Sequence, residues 1–265
     1  MKKIDYLLFV IASVLLTVAI LLATGCKKDE KRIDRSGTFY GSVVQLGQGT
    51  VRSFITLNTS GNPETIGMKF SASSLIALPT DTTKEWEYML ELPEQAVATG
   101  FNHLAVDWNP VGHDPKPIYG SPHFDFHFYR ITKEEQAEVI PGPDTVSVLA
   151  DYIPQDYISG VIAVPGMDDH WVDSKAPEFN GQKFTNTFIY GFYRGQLTFM
   201  EPMASLAWLR TKPDVRINIK QPNYFQKEGY YPTVSHIWYD ASTKEYIMAL
   251  EGLQWEDAYE GDNND

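Results

Sequence analysis

Between residues 121 and 129 the chain reads Ser-Pro-His-Phe-Asp-Phe-His-Phe-Tyr, and this alternation constrains the fold more than any other feature. Successive side chains of an extended strand point to opposite faces. His123, Asp125, His127 and Tyr129 therefore share one face, and Phe124, Phe126 and Phe128 share the other. One face belongs to a core; the other is polar and ionisable.

Similar short runs of β-branched and aromatic residues recur between turn signals, at 37–44, 51–57, 66–70, 87–92, 103–108, 123–130, 145–149, 184–193, 197–200, 235–239 and 245–251. Helical candidates are few and short: 93–98, 133–139 and 202–209, the second with Thr132 and Glu135 placed as a capping box. Aromatic residues at 13%, with many glycines and prolines, suit the same class. The expected fold is mainly β (α+β), a single antiparallel β-rich domain over 36–255 with a few short helices. Pro141, Gly142, Pro143 and Asp144 break the chain near its middle. On each side a histidine-bearing loop precedes an aromatic strand, so two similar halves meeting near 141–150 are an open possibility.

Six histidines occur, and His103, His113, His123, His127 and His170 lie in one stretch. Neutral imidazole and carboxylate together form ligands for a transition metal or a general acid/base pair. Strand geometry limits how they combine. Residues two apart on a strand are roughly 6.6 Å apart and residues four apart roughly 13 Å, so His123 and His127 do not share one ion unless a bulge bends the strand. The local pair is then His123 with Asp125, or Asp125 with His127. Further ligands would come from His113 in a Gly/Pro-rich loop, from His170, or from Glu201. The candidate metal set is thus His113, His123, Asp125, His127, His170 and Glu201, and without thiolate it suits zinc, iron, manganese or copper. The same residues can also hydrogen-bond one another on a wet β surface with no metal. His103 and His236 read as structural. Asp107 to Pro110 turn the chain toward the site or simply end a strand. Phosphate-loop, Gly-x-Ser-x-Gly, His-Glu-x-x-His and dinucleotide signatures are missing.

The N-terminus supplies an address. Lys2 and Lys3 precede an apolar run from Tyr6 to Leu22, and Ala23, Thr24 and Gly25 lead into Cys26, the single cysteine. This resembles a lipobox, which implies a signal peptide over 1–25, cleavage before Cys26 and lipidation of its thiol; an uncleaved membrane anchor is the alternative. Residues 26–35 form a charged tether. The lysine and acids after Cys26 resemble the export signal of surface lipoproteins in Bacteroidetes-type bacteria, although an ordinary charged linker reads the same way. The expected place is the bacterial cell envelope, on the outer membrane with either its outward or its periplasmic face open as the location, and with the membrane as partner through Cys26. Net charge is −12, and loss of Lys2, Lys3 and Asp5 makes it one unit more negative. No basic stripe remains for nucleic acid. The acidic end, 256–265, is expected to fray.

Three groups of segments resemble a family of uncharacterised bacterial proteins typified by a thermophile protein under extracytoplasmic sigma-factor control: Asp107 to His113 with His123 to Tyr129; His170 to Asp173; and Phe184 to Gly191 with Phe199 to Met203. The resemblance covers roughly residues 90–210. It implies one domain that gathers His113, His123, His127, His170 and Glu201, and it carries no activity. Two functional readings follow, and neither decides whether the protein is an enzyme. One is an envelope lipoprotein whose His/Asp/Glu pocket binds a metal or small polar ligand. The other is a surface module for glycan or protein in which the histidines are structural.

Overall fold

The computed structural model describes residues 35–83, 86–143, 146–160 and 167–259. The signal segment, Cys26, most of the tether and residues 260–265 lie outside the described residues. Among those described, no helix is long and apolar enough to cross a membrane.

The strands are β1 (Gly37–Tyr40), β2 (Val44–Leu46), β3 (Gly49–Leu57), β4 (Pro63–Ser71), β5 (Glu87–Glu91), β6 (His103–Asn109), β7 (His123–Tyr129), β8 (Tyr157–Ser159), β9 (Asp169–Asp173), β10 (Asn186–Tyr193), β11 (Gln196–Ser205), β12 (Asp214–Asn218), β13 (Gly229–Tyr231), β14 (Val234–Asp240), β15 (Glu245–Glu251) and β16 (Gln254–Glu256). One seven-stranded sheet runs β1-β3-β4-β15-β14-β12, with β2 paired to β3; a second runs β5-β6-β7-β11-β10-β9-β8. Every strand pair is antiparallel. The expected β-rich single domain is what the chain forms.

The phenylalanine face of β7 explains how the sheets meet. Phe124, Phe126 and Phe128 enter one core with Met68, Phe70, Met248 and Leu250 of the other sheet. Phe70 stacks on Phe126 at 5.8 Å between ring centroids and lies 6.4 Å from Phe124. Burying these rings between two sheets is the main favourable contribution to the fold.

Several local expectations need correction. Strands from both sides of 141–150 belong to one sheet, joined by the β7–β11 pairing. Within 145–149, the described residues 146–149 form no strand. Residues 202–205 are not helical, because β11 continues through Pro202 to Ser205 and only Leu206–Leu209 turns into a helix, capped by Ser205 Oγ accepting from Trp208 N–H at 3.3 Å. Pro202 is tolerated because the ladder to β7 skips Glu201 and Pro202, and proline has no N–H to give there. Residues 94–99 form a 3-10 turn. The 133–139 helix forms as Lys133–Ala137 with its capping box: Glu135 N–H donates to Thr132 Oγ1 at 3.1 Å, and Thr132 N–H donates to Glu135 Oε2 at 2.7 Å. The acidic end packs further than expected, since Glu256 lies in β16 and Tyr152 Oη donates to the Tyr259 carbonyl at 2.6 Å.

Candidate metal centre

The second face of β7 is as dry as the first. His123 and His127 are fully buried and Asp125 is 4% exposed, which replaces the wet β surface with a buried ionisable cluster. The cover over His123 includes Tyr119, centred 6.4 Å away, and Phe184, at 5.5 Å. His113 arrives from the loop after β6, where its N–H donates to the Tyr119 carbonyl at 3.2 Å. Gly112 makes that turn possible: its φ is +64°, and a Cβ there would collide with the Tyr119 carbonyl.

Sheet register assembles the remaining residues. Asp107 of β6 stands across from Asp125. The β7–β11 register on either side of the skipped residues places Glu201 across from His127. His170 of β9 pairs with Gly191 of β10, which pairs in turn with Phe199 of β11. With no side chain at Gly191, the Phe199 ring lies over β10, and His170 reaches Glu201 from two strands away.

All six candidate residues meet, in two groups. His113 Nε2 lies 3.4 Å from Asp125 Oδ2, and His123 Nε2 lies 3.2 Å from Asp125 Oδ1. His127 Nε2 and His170 Nε2 lie 3.7 and 3.4 Å from Glu201 Oε2. Of the two local pairs expected from the sequence, His123 with Asp125 forms. His127 turns instead to Glu201 and to Asp107, whose Oδ2 stands 3.0 Å from its Nδ1. The opposite nitrogen of each ring is held: His113 Nδ1 by the Asp114 carbonyl at 2.7 Å, His123 Nδ1 by the Ser121 carbonyl at 2.7 Å, and His170 by the backbone of Asp168. Nitrogens fixed in this way present the other nitrogen as a ligand, the arrangement that supports metal-bound histidines. His123 Nε2, His127 Nε2 and both Glu201 oxygens are buried with no hydrogen-bond partner.

The charges could accommodate a cation. Among the described residues no lysine or arginine pairs with Asp125 or Glu201; their ion-pair partners are histidines. Burial opposes a charge on His113, but the hydrogen bond and charge of Asp125 overcome it and raise the ring to about 9. Burial likewise opposes a charge on His127, and Glu201 and Asp107 raise it to about 9. Asp125 is held below the usual carboxylate range by His123 and His113 against the effect of burial. Burial pushes Glu201 up. His170 is driven down to about 3 by burial and then by the charges of His127 and His113. A divalent cation bound between these groups would displace protons from imidazole. The donors could hold such an ion: each group offers one atom per residue, mutually within 4.8 Å.

The other histidines have no free nitrogen. His103 bonds Asn102 Oδ1 at 3.0 Å and Gln136 Oε1 at 2.9 Å, and His236 bonds Glu251 Oε1 and Asp214 Oδ1, both at 2.8 Å. Sequence reasoning missed the parts played by Asp107, by Asn109, whose Nδ2 donates to Asp125 Oδ2 at 2.6 Å, and by Gly191. The strand His103-Leu-Ala-Val-Asp-Trp-Asn did carry a signal, since its alternation puts Asp107 and Asn109 on one face. A cavity of about 200 Å³ lined by Trp86, Asp107, Asn109, Gly112 and Met167 touches this same wall. Largely exposed aromatics among the described residues are Tyr40, Tyr224 and Trp255, on three separate segments. Comparison of the chain with protein-family models, with curated proteins and with solved structures finds no match.

Proposed function

We propose that this protein binds a divalent transition metal through the buried His/Asp/Glu cluster on the β7 face, in the cell envelope, where the lipid on Cys26 tethers it. The observation that carries the reading is the contrast among histidines. His103 and His236 spend both nitrogens on the protein, whereas His113, His123 and His170 fix one on backbone, His127 sets Nδ1 3.0 Å from Asp107, and all four aim Nε2 at Asp125 or Glu201. Buried carboxylates need a cation, and imidazole with carboxylate suits zinc, iron, manganese or copper. The segments that resemble the uncharacterised bacterial family are those whose residues meet here. Two histidines and one carboxylate leave coordination positions open, as catalytic metal sites do, and the adjoining cavity has room for a small polar ligand.

The test is elemental analysis of the full-length chain, purified in detergent without a histidine tag, beside His127→Ala and His236→Ala. The reading expects at least one metal ion per chain in the parent and in His236→Ala, and a lower metal content in His127→Ala. A parent that is metal-free and takes up none of added zinc, copper, iron or manganese would overturn it.

A further inference from the structure

Six candidate ligands, five on strands and His113 on the loop after β6, gather at one sheet face and invite a single site, yet the geometry divides them. We propose that the centre is dinuclear, with one ion held by His113, His123 and Asp125 and a second by His127, His170 and Glu201; this rests on the metal-binding reading above.

The first reason is reach. Imidazole nitrogens on one ion lie no more than about 4.2 Å apart, twice the metal–nitrogen distance. His123 and His127 are four residues apart on β7, a separation of roughly 13 Å along an extended strand. The β7 ladders keep a constant register, so no bulge shortens that distance. The second reason is convergence. Asp125 divides its oxygens between His113 and His123, whereas a single Glu201 oxygen faces both His127 and His170. Each set therefore closes on its own carboxylate, with its donor atoms within 4.8 Å of one another.

A third observation is that both groups follow one plan. Each combines a fully buried histidine from β7, a buried carboxylate, and a histidine from another segment that reaches the surface: His113 is 36% exposed and His170 21%. Two histidines and one carboxylate form a complete facial ligand set with positions left for solvent. Charge points the same way. One divalent ion serves only one of the two buried carboxylates; an ion in each gives both a counter-charge. Asp125 and His127 are alternate residues of one strand, so the two ions would occupy successive positions along the same face.

The experiment strips the full-length chain with chelator, reloads it with zinc, removes the excess and counts zinc per chain for the wild type, Asp125→Asn and Glu201→Gln, with circular dichroism to verify folding. The inference expects about two ions in the wild type and a halving to about one in each variant. Manganese titration of the wild type alone, followed by electron paramagnetic resonance of the free ion, gives a second readout: about two bound manganese ions per chain are expected at saturation, and saturation at about one would overturn the inference even if a variant failed to fold. About one zinc in the wild type with none in either variant would mean one shared site; the metal-binding reading would stand and the dinuclear inference would fall. No zinc in the wild type would sink both.

Discussion

Gly191 supports the cluster without touching a ligand's donor atom, and replacing it with alanine tests how the sheet positions the site. A Cβ at 191 would lie 2.1 Å from Cε1 of Phe199. Ordinary carbon–carbon contacts need about 3.5 Å, so the ring or the strand must yield by roughly 1.4 Å. Phe199 cannot yield cheaply. It is fully buried, with its ring centred 4.9 Å from His127, 5.2 Å from His170 and 5.6 Å from Tyr129. Overpacking of this kind costs about 1–3 kcal/mol, and the size of the displacement argues for about 3. For a domain of this length that is roughly 6–12 °C in Tm. Both histidines of the second group would move with the ring, and metal geometry tolerates only about 0.2 Å, so zinc affinity should fall with stability. Urea unfolding and chelator-competition titration measure the two effects. Phe199→Leu in the Gly191→Ala background should recover part of each, as expected for residues in direct contact. A Gly191→Ala protein within about 0.5 kcal/mol of wild type, with unchanged zinc affinity, would refute the reasoning.

Asp107→Asn keeps the shape beside His127 Nδ1 but removes the charge, and should weaken metal binding about 10–100-fold without emptying the site; competition titration showing wild-type affinity would remove Asp107 from the centre. His236→Ala should cost about 1–3 kcal/mol, because Glu251 and Asp214 lose their shared partner, while metal content stays at the wild-type level; loss of metal would contradict the structural role. The pH dependence of stability should change sign with metal. In the metal-free protein His113 and His127 are raised from 6.5 to about 9, so their contribution is complete below 6.5 and is lost as pH rises through about 9. Bound metal removes those protons from the folded state, so loaded protein should gain stability as pH climbs through about 6.5 and then level off. Parallel falling curves between pH 6.5 and 9, with and without metal, would refute proton displacement.

What could be read in advance was local. Alternation at 123–129 depends on neighbouring residues alone, and it placed histidines and aspartate on one face and phenylalanines on the other, as found. Histidine and carboxylate chemistry then nominated His113, His170 and Glu201 without their contacts. What escaped depends on register between distant strands. Asp107 looked like part of a turn because Asn109 and Pro110 follow it, and only the β6–β7 pairing sets it across from Asp125. Pro202 suggested a helix start, although a skipped ladder position accommodates it in β11. β8, β9, β12, β13 and β16 are three to five residues long, too short for alternation to stand out. Gly191 carried no local sign of its purpose, since the ring it admits belongs to the next strand.

The most direct test is anomalous diffraction from crystals of the full-length, zinc-loaded chain, recorded above and below the zinc absorption edge. The account predicts two anomalous peaks, each about 2.0–2.2 Å from its donors: one among His113 Nε2, His123 Nε2 and the Asp125 carboxylate, the other among His127 Nε2, His170 Nε2 and the Glu201 carboxylate. Zinc bound only at surface carboxylates, with imidazoles and acids of the β7 face still paired to one another, would contradict it.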